Sequence, residues 1–289
     1  MSHNEYMEAN HINAMKYRYK VCILLTACVN PCGMSHTALQ DPDVRAEQYR
    51  QALDFYIKET NLPIVFCENT MYDMSVDYKQ YINSGRLEFL SFDGNNYDKQ
   101  RGKGYGEAVI MRYAVEHSNL VRDSKYVIKI TGRLIVADIK KISSSPLLYL
   151  NNLFRSNIKE RFISTYLFVA SPVLLQKFVN KYQELIWEDS PTNDLIEHHW
   201  FRALTQDPGL NDAVFIPFVS IPQVAGISGT TGERYSMDDR LIGNMVYSYG
   251  FEKARNNSFL AILYLAAYYV LLFRDRLEVK FGMRKKSFF

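Results

Sequence analysis

Short apolar runs alternate with amphipathic segments through the first half of the chain. Four runs have the length and composition of buried strands: residues 20–27, 63–70, 87–92 and 126–130. Residues 41–61 and 107–117 are instead typical of helices, and Asp41 and Pro42 supply an N-cap and a first-turn proline for the former. This order predicts an α/β protein with a single doubly wound, mostly parallel sheet.

The pattern is less regular after residue 146. Residues 162–170 predict another strand, whereas residues 172–187 and 195–204 predict amphipathic helices. No stretch rich in Gly, Ser or Pro separates two folding units, and the sequence has no internal repeat. We therefore expect three parts, namely a polar N-terminal segment, one α/β domain and an apolar, basic, helical C-terminal extension, at residues 1–19, 20–250 and 251–289.

The C-terminal extension contains an apolar segment, residues 259–273, that carries no charge and precedes a basic tail. As a helix this segment would be about 22 Å long, shorter than the roughly 30 Å hydrocarbon core of a bilayer, so it is not expected to span a membrane. Two alternatives remain. The segment and its basic tail could rest on an anionic membrane surface, or the segment could be buried in the core or in a homodimer interface.

Composition argues against several classes of function. A net charge of +3 is too small to indicate nucleic-acid binding, and no RNA-binding or helix-turn-helix motif is present. The first twenty residues lack the apolar core of a secretory signal, which predicts a cytoplasmic protein, peripheral on the inner face of the cell membrane if the tail binds there. The four cysteines match no zinc spacing and are expected to be reduced.

Residues 101–138 carry the strongest chemical signal. Three glycines and two basic residues open a helix: Gly102, Gly104, Gly106, Arg101 and Lys103. Such a helix start binds phosphate groups well, because glycines allow close approach and the helix end is electropositive. The following strand delivers three more polar residues to its carboxyl end, where open α/β sheets bind ligands: Lys129, Thr131 and Arg133. The alternative is a solvated turn with incidental charges.

Together these elements resemble the nucleotide-sugar-binding half of GT-A-type glycosyltransferases, which have a Rossmann-like sheet. The strings ENTMYD, LEFLSF, RGKGYGE and KITGR are similar to those of bacterial transferases that build capsular polysaccharide and lipopolysaccharide. The resemblance covers roughly residues 21–142 well and the remainder loosely. It implies that residues 20–250 form a GT-A-like catalytic domain.

The resemblance also implies a set of donor-binding residues. Glu68 would accept hydrogen bonds from the base or ribose, and Glu107 would orient Lys103 or bind the sugar. Alternatively, Glu107 only stabilises its helix dipole. The donor-binding residues expected in this way are Thr26, Val29, Asn30, Glu68, Lys103, Gly104, Glu107, Lys129 and Thr131.

The chain departs from the GT-A pattern at one position. Most GT-A enzymes carry an Asp-x-Asp motif whose carboxylates hold Mg²⁺ or Mn²⁺ against the diphosphate, whereas this chain has KITGR there. Arg133 could bind the diphosphate through two parallel N–H groups in place of a metal. We therefore expect no metal site and no cofactor, with Arg133 as the electrostatic stabiliser. Asp138 would be the ligand if Mg²⁺ or Mn²⁺ is used after all.

An inverting transfer also requires a base for the acceptor hydroxyl, normally a carboxylate. Glu197 ranks first, because it precedes two histidines at a predicted helix start, with His198 as an acceptor contact. Glu188 and Asp189 resemble the acidic pair of the GT-A acceptor region, although such a pair is more often a solvated helix end. Zinc is not expected, because His198 and His199 would diverge by about 100° on a helix.

A second loop rich in Gly, Ser and Thr spans residues 225–240. We expect it to fold over the donor as a lid that contacts phosphate or acceptor sugar. An ordinary exposed loop is the alternative. The lid or acceptor residues expected here are Ser228, Thr230, Arg234 and Tyr235.

The sequence therefore predicts a metal-independent glycosyltransferase of bacterial surface polysaccharide synthesis. Its expected partners are a nucleotide-sugar donor, with a UDP-sugar favoured, and a saccharide or lipid-linked acceptor. A sugar nucleotidyltransferase is the alternative among enzymes, although it would normally need carboxylates for Mg²⁺. The alternative outside enzymes is a membrane-peripheral protein that binds or assembles carbohydrate without chemistry.

Overall fold

The computed structural model describes residues 17–145, 152–157, 161–210, 215–216, 218, 222–229 and 232–235, together with residues 262, 266, 270 and 277. The strands are β1 (Tyr19–Ala27), β2 (Ile64–Glu68), β3 (Leu87–Ser91), β4 (Ser124–Thr131), β5 (Ile135–Val136), β6 (Asn152–Leu153), β7 (Ser156–Asn157), β8 (Phe162–Ile163), β9 (Leu167–Ala170), β10 (Phe215–Ile216), β11 (Val224–Ile227) and β12 (Arg234–Tyr235). The α-helices are α1 (Pro42–Glu59), α2 (Lys79–Asn83), α3 (Gly102–His117), α4 (Asn119–Arg122), α5 (Ile139–Ser143), α6 (Pro172–Tyr182) and α7 (Ile196–Thr205).

Seven strands form the central sheet in the order β10-β6-β9-β4-β1-β2-β3. Strands β1 to β4 run parallel to one another, with β1 between β4 and β2. Strand β9 is antiparallel to both β4 and β6, while β10 is parallel to β6. The predicted α/β fold with a mostly parallel sheet is therefore confirmed, and the carboxyl ends of β1, β2, β4 and β6 share one edge.

Strand β1 shows why helices cover both faces of this sheet. Successive side chains of a strand point to opposite faces, so Cys22 and Leu24 enter one apolar cluster and Ile23 and Leu25 the other. Helices α3, α6 and α7 contribute to the first cluster, and α1 contributes to the second. A strand buried on both faces reads as a continuous apolar run, which is the pattern that the sequence has there.

The predicted elements differ from the observed ones mainly at their ends. Helix α1 begins as predicted, because the Asp41 side chain accepts hydrogen bonds from the Asp43 and Val44 N–H groups at 2.9 and 3.2 Å. The predicted strand 162–170 is divided into β8, which pairs with β7, and β9 of the central sheet. The chain leaves both sheets between them, where the Ser164 N–H donates to the Arg155 carbonyl and the Thr165 carbonyl accepts from Lys129 Nζ.

A small three-stranded sheet lies beside the central one. Strand β11 pairs antiparallel with both β5 and β12, so residues of the predicted lid form a hairpin. In the C-terminal extension, Ile262, Ala266 and Val270 are helical and exposed, while most of residues 251–289 and the first sixteen residues lie outside the described part of the chain. Within the described residues, no helix is both long and apolar enough to cross a membrane.

Candidate active site

A cavity of about 620 Å³ opens at the carboxyl edge of the central sheet. Thr26 and Thr131 mark the ends of β1 and β4 in its lining, and Arg155 follows the end of β6. Helices α1, α3 and α7, together with the β11–β12 hairpin, supply further lining residues. The cavity therefore lies where ligands bind in open α/β sheets.

Two buried guanidinium groups line this cavity without a carboxylate partner among the residues that the structure describes. Arg45 and Arg133 are 5% and 6% exposed, and no carboxylate among the described residues lies within 4.0 Å of either. Arg45 donates instead to the Cys28 and Leu39 carbonyls, and Arg133 donates to the Gln48 side chain and the Ile227 carbonyl at 3.1 Å each.

The nitrogen Nε of Arg133 is buried without a hydrogen-bond partner among the described residues. Burial lowers the pKa of Arg133, and the positive charge of Arg45 acts in the same direction. A buried cation that is neither paired nor fully hydrogen-bonded is unfavourable in the free protein. This end of the cavity is therefore suited to an anionic ligand.

The glycine-rich segment forms the first turns of α3, and its neighbour is a carboxylate of the protein itself. The Gly104 N–H donates to Glu188 Oε1 at 2.8 Å, and a Cβ atom at Gly104 would lie 2.7 Å from that oxygen and 2.8 Å from Ile196 Cγ2. Gly102 has a φ of 81° and faces the same glutamate. The glycines are thus required by close packing, and the Gly104 N–H that we predicted for a donor is bonded to Glu188.

Glu188 is 4% exposed and lines the cavity. Burial raises the pKa of its carboxyl group, and the charge of Glu197 raises it further, while Lys103 and the Gly104 N–H oppose the increase. Lys103 lines the cavity beside it. A carboxyl group in this environment could exchange a proton with a bound hydroxyl group.

Lys129 lies under the cavity with no exposed surface. Its Nζ atom forms an ion pair with Glu107 and donates to the Thr165 carbonyl at 2.7 Å. Burial lowers the pKa of Lys129 to about 7, an effect that the charge of Glu197 opposes. Glu107 also lines the cavity. The structure pairs it with Lys129, whereas we expected it to orient Lys103 or bind sugar.

Glu197 lies in the first turn of α7 and lines the cavity. The Thr165 hydroxyl donates to its Oε1 at 3.0 Å. Since the Thr165 carbonyl accepts from Lys129, a single residue connects the two charged groups. Glu188 and Glu197 both line the cavity, and the charge of Glu197 adds to the effect of burial in raising the pKa of Glu188.

The predicted nucleotide contacts are divided between the cavity and the loop that supports it. Thr26 and Thr131 line the cavity. Glu68 is fully buried, and its carboxylate accepts from the Val29 N–H at 3.0 Å and the Thr70 and Tyr72 N–H groups at 2.8 and 2.9 Å. This contradicts the predicted role of Glu68 as a base or ribose acceptor, because its oxygen atoms already bind the loops after β1 and β2.

Val29 and Asn30 belong to the same loop. Val29 is buried, and the Asn30 carbonyl accepts from the Asn95 side chain at 2.9 Å. The Asn30 side chain accepts from the Cys32 N–H at 3.2 Å. These residues position the loop, and the neighbouring Cys28, Pro31 and Met34 line the cavity.

The remaining acidic and histidine candidates lie around the wall of α7. Asp189 Oδ1 lies 2.6 Å from Nε2 of His36, which itself lines the cavity. His198 packs edge-on against Phe162 at 6.0 Å between ring centroids, and burial lowers its pKa. His199 is 2% exposed and contacts the Leu185 carbonyl at 3.1 Å, so it is a core residue.

The predicted lid is a hairpin whose residues have different environments. Tyr235 lines the cavity, and Ile227 and Gly229 line it from β11 and its turn. The Ser228 N–H donates to the Glu233 carbonyl at 2.8 Å within the turn, and Arg234 is exposed. Thr230 lies outside the described residues. The Ala38 N–H donates to the Gly229 carbonyl at 2.9 Å, which connects the hairpin to the loop after β1.

The alternative metal ligand is also engaged. Asp138 Oδ1 accepts from the Gln223 N–H at 2.9 Å. In the described part of the chain, no cluster of three or more His, Cys, Asp or Glu side chains could hold a metal ion.

Sequence reasoning missed two of the cavity's arginines, Arg45 and Arg155. Arg45 carries a detectable signal, because it shares the buried face of α1 with Tyr49 and Tyr56 at helical spacing. A charged residue on such a face needs a special reason to be there. Arg155 carries no comparable signal, because it follows a two-residue strand in an irregular region.

No protein-family model matches the chain, and no curated protein matches it. Among solved structures, the chain is similar to HddC from Yersinia pseudotuberculosis, with a TM-score of 0.35 and 12% sequence identity. The similarity covers 70% of this chain and 92% of that chain. A similarity this low leaves the function to be argued from the site itself.

Proposed function

We propose that the protein is a GT-A-type glycosyltransferase that moves a sugar from a nucleotide-sugar donor to a saccharide or lipid-linked acceptor without a metal ion. The observation that carries this proposal is the pair of buried, carboxylate-free guanidinium groups, Arg45 and Arg133, in a cavity at the carboxyl edge of an α/β sheet. Two such cations match the two negative charges of the diphosphate in a nucleotide sugar, and a guanidinium group can bind two phosphate oxygens at once.

Two glutamates that line the cavity, Glu188 and Glu197, support the chemical step. The acceptor hydroxyl oxygen attacks the anomeric carbon of the sugar, and the bond from that carbon to the β-phosphate oxygen breaks. The nucleoside diphosphate leaves with the electron pair, and its charge is stabilised by Arg45 and Arg133. Glu197 takes the hydroxyl proton as general base, held by the Thr165 hydroxyl.

Glu188 would have a different task in this scheme. It is held against the Gly104 N–H and is influenced by Lys103, so its carboxylate is suited to binding sugar hydroxyl groups beside the reacting carbon. Glu107 is engaged by Lys129 below it and would support this part of the cavity. A UDP-sugar as donor and surface polysaccharide synthesis at the cytoplasmic membrane face belong to this proposal through the sequence resemblance alone.

A thermal-shift panel of UDP-, GDP-, CMP- and dTDP-sugars, run in EDTA and again with Mn²⁺, tests the proposal. A ligand at a hundred times its dissociation constant stabilises a protein by about 2.7 kcal/mol. We expect one nucleotide class to stabilise the protein in EDTA, and Arg133→Met to reduce this stabilisation by about half or more. Arg122→Met is the matched control, because Arg122 is exposed and precedes β4 at the opposite edge of the sheet.

Turnover is measured with the donor that binds, as release of free sugar and nucleoside diphosphate. Slow release that is lost in Glu197→Gln supports the transferase. A shift that requires Mn²⁺ would contradict the metal-free mechanism. Release of pyrophosphate from a nucleoside triphosphate and a sugar 1-phosphate would identify a nucleotidyltransferase, and binding without turnover would leave a carbohydrate-binding protein.

A further inference from the structure

A third arginine, Arg155, lines the cavity at a distance from the other two. It follows β6, whose carboxyl end lies at the same edge as that of β4. Its Nη1 donates to the Tyr166 hydroxyl at 2.8 Å, and no described carboxylate lies within 4.0 Å of its guanidinium group. Arg155 is therefore a positioned cation whose charge is not neutralised by described residues.

Arg133 and Arg155 follow strands that are not adjacent in the sheet, β4 and β6. Strand β9 lies between β4 and β6, so the latter two strands are about 10 Å apart. Two tyrosines also separate the arginines, because Tyr235 interacts with Arg133 and its ring lies 6.2 Å from that of Tyr166. Arg155 thus faces a different part of the bound ligands.

The surroundings of Arg155 suit a saccharide. Phe162, Ser156 and Ser164 line the cavity nearby, on the β7–β8 hairpin and the bend that follows it. An aromatic face with several hydroxyl groups is a common surface for polar ring compounds. The same bend includes Thr165, whose hydroxyl holds Glu197. This part of the cavity is therefore adjacent to the proposed base, where the acceptor hydroxyl must lie.

We propose that Arg155, Phe162 and Ser164 form an acceptor subsite for a saccharide that carries an anionic group, either a carboxylate or a phosphate. The assignment as an acceptor subsite rests on the proposed transferase function, whereas the preference for an anionic saccharide rests on Arg155 itself. The guanidinium group binds the anion with charge-assisted hydrogen bonds, and the Tyr166 hydroxyl holds its orientation. A neutral saccharide leaves this charge without a partner.

Saturation-transfer NMR with three monosaccharides tests this proposal on the full chain, with and without UDP. The probes are glucuronic acid, glucose 6-phosphate and glucose, which share a ring and differ in charge. We expect one or both anions to bind more tightly than glucose, and the stronger one to identify the anionic group. Arg155→Met should weaken that binding about tenfold or more, while Arg155→Lys should retain part of it.

Two further variants separate recognition from folding. Tyr166→Phe keeps the charge of Arg155 but removes the hydroxyl that positions it, so we expect a smaller loss of anion binding than in Arg155→Met. Arg122→Met removes the same charge at the opposite edge and should change nothing. Equal binding of glucose and the two anions, no binding of either anion at millimolar concentration, or unchanged anion binding in Arg155→Met would each overturn the proposal.

The result also separates this inference from the transferase proposal. If an anionic saccharide binds through Arg155 while no nucleotide sugar binds, the anion subsite stands and glycosyl transfer fails. If a nucleotide sugar binds through Arg133 and the three monosaccharides bind alike, the transferase proposal stands and the anionic acceptor fails.

Discussion

Arg45 and Arg133 converge on one side chain, Tyr49, although they carry the same charge. Arg45 Nη2 donates to the Tyr49 hydroxyl at 3.4 Å, and Arg133 interacts with the same hydroxyl group. The repulsion between the two guanidinium groups contributes to the lowered pKa of Arg133. A protein that folds two cations together without a carboxylate gives up stability at a place where binding of an anion restores it.

Arg133→Met is therefore expected to lose binding without losing stability. The variant loses two hydrogen bonds of about 1 kcal/mol each, but it also removes a desolvated charge that costs several kcal/mol. We expect a free energy of unfolding that is unchanged or slightly increased in urea titrations, and at least a tenfold loss of nucleotide-sugar affinity in calorimetry. Strong destabilisation with unchanged affinity would show that the guanidinium group is structural.

Arg45→Met provides the contrasting case. Arg45 donates to the Cys28 and Leu39 carbonyls, which belong to the loop between β1 and α1. Arg45→Met removes three hydrogen bonds to this loop, and the Cys28 carbonyl keeps only the Tyr49 hydroxyl at 3.3 Å, so we expect a free energy of unfolding about 1–3 kcal/mol lower than that of Arg133→Met. Urea titrations of the two variants side by side would reveal this difference, and equal stabilities would contradict it.

Gly104→Ala should destabilise the protein, although alanine normally stabilises a helix. The helix propensity favours alanine by about 1 kcal/mol, whereas overpacking a tight contact costs about 1–3 kcal/mol. The new Cβ atom would lie 2.7 Å from Glu188 Oε1 and 2.8 Å from Ile196 Cγ2, which is too close. We therefore expect a lower melting temperature, measured by circular dichroism.

Gly209→Ala is the matched control for this prediction. A Cβ atom there would lie 3.5 Å from Asp207 Oδ1, an ordinary contact, so the melting temperature should change little. A Gly104→Ala protein as stable as the control would mean that Glu188 and Ile196 move apart easily, and the close packing of α3 would then not explain the glycines.

Local features of the fold could be predicted from the sequence, whereas contacts between distant segments could not. The strand β1 and the helix α1 could be predicted because their signals are local: an apolar run in one case, and Asp41 followed by Pro42 in the other. The role of Gly104 could not be predicted, because its partner Glu188 lies 84 residues away. The pattern predicted a phosphate-binding helix start, whereas the group bonded to the Gly104 N–H is a carboxylate of the protein itself.

Glu68 gives the corresponding lesson for the nucleotide pocket. Its place at the end of β2 followed from the apolar run before it, and this position is typical of ligand-binding residues. Its use could not be predicted, because three N–H groups from two loops bind its carboxylate only once the sheet has formed. A position at the ligand edge is thus encoded locally, whereas the partner of a side chain there depends on distant segments.

Removing one partner of the Lys129–Glu107 ion pair should be more harmful than removing both. Glu107→Gln leaves an amine with no exposed surface that must either stay charged without a counterion or give up its proton, so we expect a loss of about 3–5 kcal/mol in the free energy of unfolding. Lys129→Met should cost less, because the Glu107 side chain is 17% exposed and water can reach its carboxylate.

The double variant Glu107→Gln, Lys129→Met completes a double-mutant cycle for this pair. We expect it to be more stable than Glu107→Gln alone, because no buried charge then lacks a partner. Chemical denaturation of the wild type and the three variants gives the coupling energy. Additive losses would contradict the ion pair as the reason why a buried lysine is tolerated in β4.

His199 should make the protein sensitive to acid in a defined interval. Burial lowers the pKa of His199 from 6.5 to about 4, so between these values the unfolded chain binds a proton that the folded protein does not. The contribution of neutral, buried His199 to the free energy of unfolding is therefore fully present above pH 6.5. It decreases as the pH falls toward 4, by about 3 kcal/mol in total.

His199→Gln removes this titration, so urea titrations at pH 7 and pH 4.5 should show a smaller acid-induced loss in the variant than in the wild type. Because His198 titrates in both proteins, its contribution cancels in the comparison. Parallel losses in the two proteins would mean that His199 becomes protonated within the fold.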